Sequence, residues 1–244
     1  MSLNHNYIRK KSAEVIIECN IKKFPIDCFS ILEHYGYKIY SYSELYKKNK
    51  ELYDMCISYS QDAFRSGSMK IIAYNDRKPK TRIRFSLMHE LGHHILMHKN
   101  DTPENESEAN FFANNMLAPR IAIYYTRMQS NADISRLFNT SSLVAQYASQ
   151  DFSKWCYEIC NNGMHDYDKD LYSQFYDENY KGFVYSIKKC EFCGANIYNS
   201  DSNHCLGGCK PIGISMHGYS CLDSLSDDDR RILSRLENKW LYDF

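Results

Sequence analysis

The chain has 244 residues, enough for one large domain or a domain plus a small module, and its 43% hydrophobic and 25% charged residues describe a globular protein. A formal net charge of +0 removes any overall electrostatic case for a nucleic-acid or membrane-surface partner. The opening MSLNHNYIRKKSAEVII lacks the apolar core of a secretory signal, no apolar run reaches bilayer length, and the ten cysteines are therefore expected as reduced thiols in a cytoplasmic setting.

In chain order, residues 6–19 place Ile8, Val15, Ile16 and Cys19 at helical spacing. A second helix starts at Pro25 or Asp27, buries Phe29, Ile31 and Leu32, and ends at Gly36. Residues 37–42 alternate as a strand, 43–54 read as helix, and Cys56 to Ser60 reads as another strand. Met69 to Tyr74, bounded by Gly67 and Asn75-Asp76, is the clearest strand and a candidate edge for an extended peptide. The loop RKPKTR leads to a helix ending near Lys99. After Pro103 comes the helix ENESEANFFANNML, stopped by Pro119. The order of elements is that of an α+β domain with its chemistry where the sheet ends.

Within the helix before Lys99 lies His89-Glu90-Leu91-Gly92-His93. Residues four apart on an α-helix project from one face, so His89 and His93 can reach one zinc ion. Glu90, about 100° round the axis, can address a water without being a ligand, the place of a general base. Gly92 costs about 1 kcal/mol in a helix interior and points to close approach of another element. A catalytic zinc takes a third protein ligand and leaves one position open. Neither His94, on the wrong face, nor His98 suits that role. A carboxylate of the next helix is the better candidate. Its apolar stripe, Ala109, Phe112, Ala113 and Met116, is flanked at comparable angles by Glu106 and Glu108, with Glu104 further round, so helix geometry leaves the choice open.

Residues 121–180 read as helical and rich in Tyr and charge, and 133–150 have the outline of a helix-turn-helix. That segment carries a single Arg, so two helices packing on the domain is preferred to a DNA-reading module. From Cys190 the composition shifts to CEFCGANIYNSDSNHCLGGC, in which Cys190, Cys193, Cys205 and Cys209 suit a four-cysteine structural zinc site. His204, His217 and Cys221 are near enough to replace one of them. Residues 223–244 read as a capped amphipathic helix.

The run from Arg84 to His93, followed by Glu108-Ala109-Asn110-Phe111-Phe112-Ala113 and Leu117-Ala118-Pro119, resembles the ImmA/IrrE family of metallopeptidases. That family reads RFT-x-AHELGH and then EAN-x-FA-x-x-LLMP, and Ser86, Met88 and Ala118 depart from it without removing a ligand. The resemblance extends over roughly residues 10–150. It implies a zincin-like domain with Glu108 as third zinc ligand and Glu90 as base. It also implies cleavage of a repressor-type transcription regulator of a phage or mobile element.

The expected organisation is a metallopeptidase domain at 1–128 and a helical extension at 129–182. A zinc-ribbon-like module at 183–222 and the final helix at 223–244 complete it. The expected cofactors are one catalytic and one structural Zn2+. The alternative function is a non-proteolytic zinc protein acting by protein or DNA binding.

Overall fold

The computed structural model describes residues 4–205 apart from 101 and 129. These divide into a large unit, residues up to 187 with 198–200, and a small one, 188–197 with 201–205. Cys209, His217, Cys221 and the final helix expected at 223–244 lie outside the described residues.

Side-chain caps set where the first helices begin. Asn4 accepts from the Tyr7 N–H to start α1 (His5–Glu18), and Asp27 accepts from Phe29 and Ser30 to start α2 (Cys28–His34). Gly36 then takes φ +78°, a conformation open to glycine, and turns the chain into β1 (Lys38–Ser41). Next come α3 (Tyr42–Lys48) and α4 (Lys50–Tyr59). The strand expected at Cys56 to Ser60 is the end of α4. Asn49 caps a fresh helix there, and Leu52, Cys56 and Tyr53 pack on Tyr42 and Leu45 at three- and four-residue steps. An apolar run that short does not reveal its period in the sequence.

β2 (Ala63–Ser66) was not foreseen, because Ala63, Arg65 and Ser66 leave only Phe64 as a strand signal. It pairs antiparallel with β3 (Ile71–Tyr74), which also pairs parallel with β1, giving the order β1-β3-β2. The expected peptide-accepting edge therefore moves. β3 is the middle strand, and among the described residues β2 has an unpaired side.

α5 (Lys80–Ile95) starts inside the stretch expected as loop and stops four residues short of Lys99. α6 (Pro103–Leu117) starts on Thr102, whose side chain accepts from the Asn105 N–H. Leu87, Met88 and Leu91 of α5 meet Phe112, Ala113 and Met116 of α6 in the core, all 0% exposed. Gly92 lies at the crossing. A Cβ there would stand 3.1 Å from the Ala109 Cα and 3.2 Å from its carbonyl oxygen, backbone atoms that cannot swing aside.

Beyond Pro119 come α7 (Arg120–Thr126), α8 (Asn131–Phe138), α9 (Ser142–Asn162) and α10 (Asp166–Phe175). Two short hairpins follow, β4 (Tyr176–Asp177) with β5 (Gly182–Phe183) and β6 (Ile187–Lys189) with β7 (Asn196–Tyr198). The result is a mixed α+β fold, rich in helix, with small sheets. Among the described residues no helix is long and apolar enough to cross a membrane.

Buried ion pairs fix α9 against the rest. Asp151 takes Arg9 of α1 at 2.7 Å and Arg120 of α7, and Arg120 also donates to the Ala118 carbonyl and to Asn114. Asn114 in turn donates to the Val144 carbonyl at 3.1 Å. Although burial opposes it, the two guanidinium groups hold the Asp151 carboxyl below its usual range.

Among the described residues Asp168 makes no ion pair, Arg9 and His165 acting on it only at a distance. Burial raises it from 3.8 to about 6, only partly offset by the hydrogen bond from the Trp155 indole N–H at 3.0 Å. A raised folded-state pKa gives stability that is full below about pH 4 and is lost as pH rises through about 6. Asp168→Asn, which still accepts from Trp155, is therefore expected to be more stable than the parent at pH 7.5 by about 1–3 kcal/mol. Urea unfolding at both pH values checks this, the difference closing below about pH 4.

Candidate metal centre

α5 places His89 and His93 one turn apart, with Nε2 atoms 3.0 Å from each other. The first turn of α6 crosses this face and brings in Glu106, whose carboxylate oxygens lie 3.3 Å from His89 Nε2 and 3.2 Å from His93 Nε2. His89, His93 and Glu106 thus form a cluster of ligand atoms lying within 4.8 Å of one another. Glu108, the third ligand implied by the resemblance, points elsewhere. Its Oε2 is 3.1 Å from His98 Nε2. Two residues along α6 turn a side chain by about 200°, so Glu106 and Glu108 cannot both face the imidazole pair.

The outer hydrogen bonds decide which nitrogens carry protons. The Asn110 Oδ1, 3.0 Å from His89 Nδ1, can only accept, so the proton sits on Nδ1 and His89 Nε2 is bare. The Glu108 carboxylate likewise takes the Nε2–H of His98. That leaves His98 Nδ1 to accept from His93 Nδ1–H at 3.1 Å, and His93 Nε2 is bare as well. Burial is the main reason both rings stay neutral. It lowers His89, against the pull of Glu106, and with His89, His98 and Arg65 nearby it takes His93 down to about 3.

Three lone-pair donors therefore face one another with no proton between them. Left so, they repel; a cation about 2.0–2.1 Å from each relieves the repulsion. The donor set, two imidazoles and a carboxylate, is that of a catalytic zinc, and the outer partners are those that orient such ligands.

Glu90 follows His89 on α5, and its Oε2 is 3.9 Å from Nε of Arg65 on β2. His94 turns away and packs edge-on against Tyr35 and Tyr37, at 5.8 and 5.5 Å between ring centres. Sequence reasoning did not find Arg65, which precedes the motif by a strand and a turn. It also gave Asn110 no role, although Asn110 is the third residue of the run from Glu108 to Ala113 that carries the family resemblance.

In the small unit, Cys190, Cys193 and Cys205 form a second cluster within 4.8 Å. The backbone N–H of Cys205, with those of Cys193 and Phe192, draws the Cys190 thiol down to about 6, which favours a ligating thiolate. His204, an alternative ligand by spacing, is absent from this cluster.

Residues 48–149 match the Peptidase_M78 family, described as an IrrE N-terminal-like domain. The match starts later than the resemblance over 10–150 and contains both helices of the metal centre. It stops before the cysteine cluster, and it supports a metallopeptidase. No curated protein matches the chain.

Proposed function

We propose that the chain is a zinc-dependent endopeptidase in which His89, His93 and Glu106 hold the metal and Glu90 is the general base. The observation that carries this reading is the triangle of two imidazole nitrogens and the Glu106 carboxylate, with a further carboxylate, Glu90, on the residue after His89 in α5. When bound, zinc acidifies water and polarises a carbonyl. Glu90 takes the proton of the attacking water and returns it to the departing amine. Asn110 keeps His89, and the pair His98 and Glu108 keeps His93, in the tautomer that leaves Nε2 bare. The free side of β2, which carries Arg65, offers backbone groups to an extended peptide.

Cys190, Cys193 and Cys205 hold a second, structural zinc on this reading, with Cys209 as fourth ligand. The substrate is a protein in the cytoplasm, and the ImmA/IrrE resemblance supports a repressor-type regulator. Metal analysis together with hydrolysis of a synthetic peptide library tests the proposal. Cleavage is expected to stop on chelation and to return with zinc. Cleavage indifferent to chelator, or purified protein that binds no metal at His89 and His93, overturns it.

A further inference from the structure

A 540 Å³ cavity opens beside the metal centre; α5, α6 and α9 make most of its wall, with His5 of α1 and Arg120 of α7 also lining it. α5 supplies Arg82 and Phe85, three residues apart, and the Phe85 ring lies 6.4 Å from that of His89. α6 supplies Asn110, the residue whose Oδ1 holds His89, and its neighbour Phe111. α9 supplies Leu143, Tyr147, Gln150 and Lys154, spaced four, three and four apart, which is one helical face. The cavity thus adjoins the metal centre through its wall: Asn110 holds His89 and Phe85 lies beside it, while the cluster of His89, His93 and Glu106 is not part of the lining.

The face from α9 has no packing role that accounts for it. Leu143 is 56% exposed and Tyr147 57% exposed, while Val144, Ala145 and Ala148 make the contacts that bury the helix. The wall is nevertheless held in place, because Asp151 and Asn114 tie α9 to α1, α6 and α7. Charge at the mouth is one-sided. Arg82 is paired with Asp62 at 2.6 Å and the Asp151 carboxylate is taken by two arginines, whereas Lys154 has no ion pair among the described residues.

We propose that this cavity is the specificity pocket of the peptidase: it receives a bulky apolar side chain of the peptide substrate next to the scissile bond, while Lys154 receives a carboxylate of the same peptide. The inference rests on the metallopeptidase reading, since it needs a peptide lying across α5. An apolar pocket with a few placed polar groups at its rim is the form such recognition takes. The segment whose outline resembled a DNA-reading helix-turn-helix then presents its would-be recognition face to a peptide.

The test uses full-length, zinc-loaded Glu90→Gln protein on a positional-scanning array of synthetic peptides, so that binding is read without turnover. Binding is expected to favour Leu, Met, Phe or Tyr at one position with Asp or Glu nearby. Leu143→Asp with Tyr147→Ala should lower binding of the preferred peptides about tenfold. Lys154→Glu should abolish the acidic preference and keep the apolar one. All three substitutions are at exposed positions, and unchanged zinc content with unchanged circular dichroism confirms folding. An array without apolar preference overturns the proposal, as does a preference the variants do not alter. So does a salt-dependent shift of duplex DNA that the α9 variants abolish, because it gives that face another occupant. Cleavage of the same array by the parent protein reports on the peptidase reading separately. Peptides that bind with this preference and are never cut keep the pocket and refute the enzyme.

Discussion

Glu90→Gln should retain zinc and lose hydrolysis by roughly 10²–10⁴-fold, the usual contribution of a positioned general base. Gln has the same shape, and Glu90 itself donates nothing to the triangle formed by His89, His93 and Glu106, so the metal centre should assemble as before. What disappears is an atom able to hold a proton between attack and departure of the amine. The loss should fall on kcat, with KM nearly unchanged, because the interaction lost is made only in the transition state. Atomic emission on the purified variant beside steady-state cleavage of a library peptide gives both readings. A variant that cuts at the parental rate would remove Glu90 from the chemistry.

Glu106→Ala and Glu108→Ala should separate by the metal affinity they leave. If Glu106 supplies one of three ligand atoms, as proposed, its removal is expected to weaken zinc by more than about a hundredfold. Glu108 acts at one remove, through His98 on His93, and its loss should cost about tenfold to a hundredfold, the range for outer partners of a ligating histidine. Cobalt substitution distinguishes this site from the thiolate cluster by the absence of sulfur charge-transfer bands, so the titration can follow the histidine site alone. The reverse order of affinities would restore Glu108 to the ligand set.

Much of this arrangement could be read from the chain because its signals are local. His89, Glu90 and His93 share one helix, so their relation is fixed by 3.6 residues per turn. Gly92 marked a close approach, which proved to be the backbone at Ala109. The choice between Glu106 and Glu108 was beyond such reasoning. Both flank the stripe of α6, and the crossing of α6 over α5, a tertiary property, decides which flank meets the histidines. The ordering of the sheet was hidden for the same reason. β3 carries the strongest strand pattern because it is central, and the edges among the described residues are β1 and β2, the latter with Ala63 and Arg65 giving little sign of a strand. The turn that converts Leu52 and Cys56 into helix depends on Asn49 as a cap, a weak mark amid a polar run.

The contact between Gly92 and Ala109 makes the metal centre a joint between two rods, with no slack built into it. On the proposed reading two ligands ride on one rod and the third on the other, close to where they touch. Core side chains along this crossing, such as Phe112 and Leu91, are then expected to affect metal affinity without touching the ion. A random search for variants with impaired zinc retention should return enlarged residues along this seam as readily as altered ligands, and second-site shrinkage across the seam should repair them.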